Sequence, residues 1–156
     1  MEVMPTQFSH SEVLDRLREI ACQADAKNKL PFETVQLLKD NCTHYDWVGI
    51  YSLESDEELV LGPFLGKPSP HTRIKAGDGI CGAAVREENT IIVDDVNSDP
   101  RYLACSLETR SEIVVPIFKD GKVVGELDID SHTPAAFTDQ DRHFLEEVCR
   151  ILAVAY

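Results

Sequence analysis

Two cysteines and one hairpin hold the residues of this chain that could do chemistry. Cys81 sits between glycines in Gly79-Ile80-Cys81-Gly82, and Cys105 sits in a long stretch with little periodicity. Residues 111–131 then alternate with period two on both sides of Lys119-Asp120-Gly121, the pattern of a β-hairpin. On its second run Glu126, Asp128 and Asp130 share one face, and Val123, Gly125, Leu127 and Ile129 share the other. A row of carboxylates beside an apolar face is not needed to fold a sheet. Close to a thiol, it reads as a small acidic pocket for a cationic ligand. Glu126, nearest the turn, is expected at the solvent edge and outside that pocket.

The pairing rules select a register. A two-residue loop at Asp120-Gly121 sets Ile113 opposite Asp128. A three-residue loop with Gly121 left-handed sets Ile113 opposite Leu127, Val115 opposite Gly125 and Ile117 opposite Val123. The second choice matches apolar with apolar and places Glu112 across from Asp128, on the carboxylate face. Because a one-residue slip would turn every side chain over, the three-residue loop is the expectation.

The elements that must position this hairpin follow from apolar spacing. Ser9 or Ser11 caps a helix through about Ala24, and Pro31 opens a second helix carrying Phe32, Val35, Leu38 and Cys42 inward. The run from Asp46 to Leu53 is a strand, returning from Leu59 to Phe64 after the acidic turn Ser55–Glu58. Trp47 and Tyr51 share one face of that strand, so both join a core or both line a pocket. A short strand at Thr72–Ile74, a short helix ending near Glu88 and a strand at Thr90–Val93 come next. Residues 94–110 form a long loop with room for one helical turn, a length that usually signals a binding segment. Thr138 caps a last helix to Tyr156, with Asp139 and Asp141 at its positive end. The sum is one α+β domain over residues 1–156. Helices at about 10–43 and 138–156 pack on one face of an antiparallel sheet of about six strands, which lies within about 45–131.

Composition narrows the function. With 156 residues and 43% apolar content the chain suits a single globular domain. Its net charge of −13 repels nucleic acid and anionic membranes, and suits a ligand with a positive group. No apolar run reaches membrane-spanning length, and the N-terminal residues lack a signal-peptide pattern, so a cytoplasmic location is expected. Five cysteines without a CxxC, and histidines without zinc-finger spacing, predict no metal site and thiols that are reduced at rest. Cys22, Cys42 and Cys149 fall in helical patterns and read as small core hydrophobes. Cys81 reads equally as a packed helix residue or a reactive one. Cys105, on a loop, leans toward function. His71 and His132 read as surface residues.

Trp47-Val48-Gly49-Ile50-Tyr51, Leu59-Val60-Leu61-Gly62-Pro63-Phe64, Gly79-Ile80-Cys81-Gly82-Ala83-Ala84, Ser111-Glu112-Ile113-Val114 and Leu127-Asp128-Ile129-Asp130-Ser131 occur in an order that resembles the GAF domain. More narrowly, the chain resembles the free methionine-(R)-sulfoxide reductases, a family of single GAF domains. The resemblance implies a nucleophilic Cys105 that becomes a sulfenic acid. It implies Cys81 as a second redox thiol, and a substrate pocket formed by Glu112, Asp128, Asp130, Trp47 and Tyr51. It implies free methionine sulfoxide as substrate, no bound cofactor, and an external thiol reductant such as thioredoxin. A homodimer through the terminal helices is open. The family's third cysteine falls in the loop after the Leu-Gly-Pro-Phe strand, where this chain reads Gly66-Lys67-Pro68-Ser69-Pro70-His71-Thr72-Arg73. Either Cys81 resolves the sulfenic acid, or an external thiol does, or the domain senses a small molecule or redox state without turnover. In the enzyme reading, clustered carboxylates keep one proton for the departing oxygen, and their negative charge grips the ammonium of a free amino acid.

Overall fold

The computed structural model describes residues 7–55, 57–103 and 106–156. Helix α1 (His10–Ala21) starts at Ser9, whose hydroxyl accepts from the Glu12 amide while Glu12 returns the bond to the Ser9 amide. It buries Val13, Leu17 and Ile20. Helix α2 (Ala26–Asn41) begins ahead of Pro31 and carries the proline inside it. Ala26 and Leu30 are buried, and this apolar face outweighs the backbone hydrogen bond that the proline cannot donate. Phe32, expected inward, is 61% exposed, because Leu30, Thr34, Val35 and Leu38 take up the inward stripe. Cys22 is exposed just past α1, so it is no core residue, whereas Cys42 and Cys149 are buried.

Strands β1 (Trp47–Ser55), β2 (Glu58–Leu65), β3 (Arg73–Lys75), β4 (Ile91–Val93), β5 (Ser111–Lys119) and β6 (Lys122–Ser131) form one antiparallel sheet in the order β3-β2-β1-β6-β5-β4. Helices α1, α2 and α4 (Asp139–Leu152) cover one face, around Leu17, Leu38, Ile50, Ile113, Leu127 and Leu145. Helix α3 (Gly79–Glu87) covers the other, where Tyr51, Leu59, Ile80, Ala84 and Val114 form a second apolar cluster. The long loop after β4 contains one 3₁₀ turn at Val96–Ser98.

The β5–β6 hairpin departs from the expected register. Asp120 and Gly121 both have positive φ, 51° and 78°, and make a two-residue turn with Lys119 opposite Lys122. Phe118 then pairs with Val123 but Ile117 with Gly125, so Val124 is an extra residue. This bulge combines the turn that Asp-Gly prefers with apolar pairing further along. It also turns Val123 toward the α3 side and Val124 toward the helical layer, the reverse of the expected placement of Val123. Beyond the bulge the register differs by two residues from the expected one, so each side chain keeps its face while its partner changes. Ile113 pairs with Ile129, and Glu112 lies across from Asp130 rather than Asp128.

Candidate functional site

The carboxylates come from the middle of the sheet, on the face under α3. Three rungs run across β5, β6 and β1: Glu112–Asp130–Trp47, Val114–Asp128–Gly49 and Pro116–Glu126–Tyr51. Trp47 and Tyr51 therefore share the acid face. Gly49 between them has no side chain, and a Cβ there would overlap the Trp47 ring, which leans across it. Glu112, Glu126, Asp128 and Asp130 are 4%, 0%, 1% and 3% exposed, so all four are taken from water. Glu126 is thus no solvent-edge residue. Its parity with Asp128 and Asp130 was the readable signal, and its nearness to the turn was misleading because β6 is flanked on both sides.

Cys81 projects from the first turn of α3 into this row and is itself buried. One atom from each of Cys81, Glu112 and Asp128 lies within 4.8 Å of the others. Both oxygens of Glu126, and one each of Asp128 and Asp130, have no partner at hydrogen-bond geometry.

Burial sets the protonation of the cluster, and mutual repulsion reinforces it. Burial holds Glu112 neutral well above the usual carboxylate range, with the charges of Asp128 and Asp130 adding to the effect. Glu126 is raised by burial and then by Asp128, with the Cys81 thiol pulling weakly the other way. Asp130 is raised by burial and by Asp128. Asp128 is also raised by burial, but Glu112 and Cys81 donate toward it. Asp128 is accordingly the member that holds a negative charge most readily. Burial, followed by the charges of Asp128, Glu126 and Glu112, pushes the Cys81 thiol up, so it rests as a neutral SH.

Two small cavities open on this face. The first, about 10 Å³, is lined by Tyr51, His71, Ile74, Asp78, Gly79, Ile80, Cys81, Leu103, Glu112 and Asp128. The second, about 50 Å³, is lined by Asp46, Trp47, Lys67, Ser69, Ser106, Thr109, Asp130 and His132. The aromatic side chains of β1 fasten the loop after β2 over them. Trp47 Nε1 donates to the Lys67 carbonyl at 2.9 Å, and the Tyr51 hydroxyl donates to the His71 carbonyl at 2.8 Å. Lys67 also reaches Glu108 at 2.8 Å. His132 is exposed, as expected of a surface residue, and borders the second cavity, approaching Glu108 at 3.6 Å; His71, also expected at the surface, is half-buried and lines the first.

Of the residues expected at a site, Cys81, Glu112, Asp128, Asp130, Trp47 and Tyr51 meet on one face. Cys105 lies outside the described residues. On either side of it, Leu103 lines the first cavity and Ser106 the second. Among the described residues no helix is long and apolar enough to cross a membrane.

A GAF domain model matches residues 32–156. Free methionine-R-sulfoxide reductase of Escherichia coli is 40% identical over 115 residues, covering 74% of this chain and 68% of that protein. The Saccharomyces cerevisiae protein of the same name is 44% identical over 110 residues, covering 69% of this chain and 61% of its own length. Among solved structures, free methionine-R-sulfoxide reductase from Neisseria meningitidis in complex with its substrate superposes with a TM-score of 0.89. It is 34% identical, over 99% of this chain and 98% of that one. The substrate complex of fRMsr of Staphylococcus aureus gives a TM-score of 0.86 at 36% identity, over the full length of both chains. With the buried acid row and its neighbouring thiol, these likenesses are specific: the chain belongs to the GAF-domain family and, within it, to the free methionine-R-sulfoxide reductases, a family of enzymes.

Proposed function

We propose that this protein reduces free methionine-(R)-sulfoxide to methionine, with Cys105 as nucleophile and Cys81 as resolving thiol. The observation that carries this reading is the buried set Glu112, Glu126, Asp128 and Asp130 with Cys81 beside it. It holds protons and negative charge together where water is excluded. The ammonium of a free amino acid is the complement of Asp128 and Asp130, and Trp47 and Tyr51 supply apolar walls. A methionine inside a protein has an uncharged amide at that point and lacks the matching charge.

The Cys105 thiolate attacks the sulfoxide sulfur, and a protonated carboxyl of the cluster, with Glu112 best placed beside Asp128, gives its proton to the oxygen. The substrate S–O bond breaks as the hydroxyl passes to the Cys105 sulfur, so methionine leaves and Cys105 becomes a sulfenic acid. Attack by the Cys81 sulfur then forms a disulfide and releases water. Two electrons from an external dithiol of the thioredoxin type restore both thiols, so the sum is sulfoxide plus dithiol giving thioether, disulfide and water. The neutral resting state of Cys81 fits a thiol that reacts second, once its proton can pass to the cluster. A cytoplasmic setting would keep such thiols reduced. Phe8 and Phe32, 43% and 61% exposed on the helical layer, favour pairing of two copies there.

The test supplies thioredoxin, its reductase and NADPH, and follows NADPH oxidation on adding each epimer of the sulfoxide. Turnover of the free R epimer is expected, with little on the S epimer or on the N-acetylated amino acid. Cys105→Ser abolishes it, whereas Cys81→Ser releases about one methionine per chain and stops. Binding of the R epimer without turnover under any reductant would leave a sensing domain in place of an enzyme.

A further inference from the structure

The geometry points to a zinc-type divalent cation site formed by Cys81, Glu112 and Asp128. The sequence carries no zinc-ligand spacing, because the donors come from α3, β5 and β6 and meet only through the fold. Their sulfur and two oxygens lie within 4.8 Å of one another. In a tetrahedral zinc site, bonds of about 2.3 Å to sulfur and 2.1 Å to oxygen put neighbouring donors roughly 3.4–3.6 Å apart. Side-chain rotations of about one ångström close that difference.

A second observation, separate from the spacing of the donors, points to a ligand. One oxygen of Asp128, a site donor only 1% exposed, is buried without a hydrogen-bond partner, a condition that proteins seldom leave unanswered. The cavity bordered by Cys81, Glu112 and Asp128 is about 10 Å³, the size of one small sphere. A thiolate with two carboxylates gives a borderline-soft donor set that prefers zinc, cobalt or cadmium over magnesium or calcium. Such an ion occupies both the Cys81 sulfur and the acids. If the reading in the preceding subsection holds, it competes with the amino group of the substrate and stops resolution.

The test uses untagged, reduced, metal-free protein titrated with Co²⁺ and read by absorbance, so it needs no turnover and its outcome is separate from that of the enzyme assay. One equivalent per chain with a thiolate-to-cobalt charge-transfer band is expected, displaced by Zn²⁺ and unaffected by excess Mg²⁺. The band persists in Cys22→Ser and Cys105→Ser and disappears in Cys81→Ser. Asp128→Asn weakens Co²⁺ binding roughly tenfold or more. The thiolate band in the wild-type protein tests the site without any substitution. A cobalt spectrum lacking the thiolate band, or a band of equal strength in Cys81→Ser, would overturn the assignment.

Discussion

Replacing Glu126 by glutamine separates a buried acid that holds its proton from one that merely sits in a sheet. Burial first, and the charge of Asp128 second, keep Glu126 neutral well above its ordinary value of 4.5. An unfolded chain loses that proton near the ordinary value, while the folded chain keeps it. Above the ordinary value the folded state therefore binds more protons, and wild-type stability falls as pH rises toward the folded value. Glutamine has the shape of the neutral acid and no proton to lose, so its stability curve lacks this slope. Between about pH 5.5 and pH 6.5 the gap between variant and wild type should widen in the variant's favour by about 1.3 kcal/mol, the linkage limit for one retained proton. For a chain of this size that corresponds to about 3–5 °C in Tm. Urea unfolding followed by Trp47 fluorescence at both pH values measures it. Parallel curves for the two proteins would mean that Glu126 titrates as an ordinary carboxylate, and the account of the site as a proton-holding cluster would be wrong.

Three further outcomes follow from named contacts. Asp128→Asn removes one charge-assisted interaction of about 1.5–3 kcal/mol with the ammonium, so KM for the free R sulfoxide rises about 10- to 150-fold with a smaller change in kcat. Equal losses in kcat and kcat/KM would place Asp128 in the chemical step instead. Gly49→Ala drives a methyl group into the Trp47 ring and costs about 1–3 kcal/mol of stability in urea unfolding, and an unperturbed variant would show that the ring is free to move aside. Thr138→Ala breaks the capping box of α4, in which the Thr138 hydroxyl accepts from the Asp141 amide, and lowers stability by about 1 kcal/mol in the same assay with little change in KM.

Period-two alternation makes the acid face legible in the sequence, because parity survives any even error in register. That is why Glu112, Asp128 and Asp130 fall together although Glu112 faces Asp130 across the hairpin. The bulge at Val124 is not legible: choosing a loop from apolar pairing presumes a continuous ladder, and one inserted residue satisfies both the turn and the pairing. Burial depth is hidden as well. Glu126 lies five residues from the turn glycine, yet β6 runs between β1 and β5 under α3, so even that end of the strand is enclosed. Helix α2 misleads for a related reason. A proline marks a helix start by local chemistry, but the buried pair Ala26 and Leu30 extends the helix ahead of it. The meeting of Cys81 with the acids depends on how α3 crosses the sheet, and no spacing along the chain encodes that.

The acid row is rigid, and a ligand reaches it only past the segments that cover it. Glu112, Glu126, Asp128 and Asp130 lie on strands hydrogen-bonded on both sides, so the sheet fixes their spacing and the cluster answers crowding by keeping protons. A cavity of about 10 Å³ holds one water molecule and no amino acid, so a ligand of that size must displace part of the cover. That cover includes the loop after β2, joined to β1 by the Trp47–Lys67 and Tyr51–His71 hydrogen bonds and to the segment before β5 by the Lys67–Glu108 ion pair. Lys67 and Glu108 are 66% and 53% exposed, and an ion pair so open to water adds little to stability. An amino-acid ligand reaching the row past this loop has to break some of these contacts, an opening more local than global unfolding. In the proposed reaction, an ammonium entering through that opening would meet carboxyls already fixed in position, several of them short of hydrogen-bond partners. Its charge would favour the ionised forms of carboxyls that burial otherwise keeps protonated.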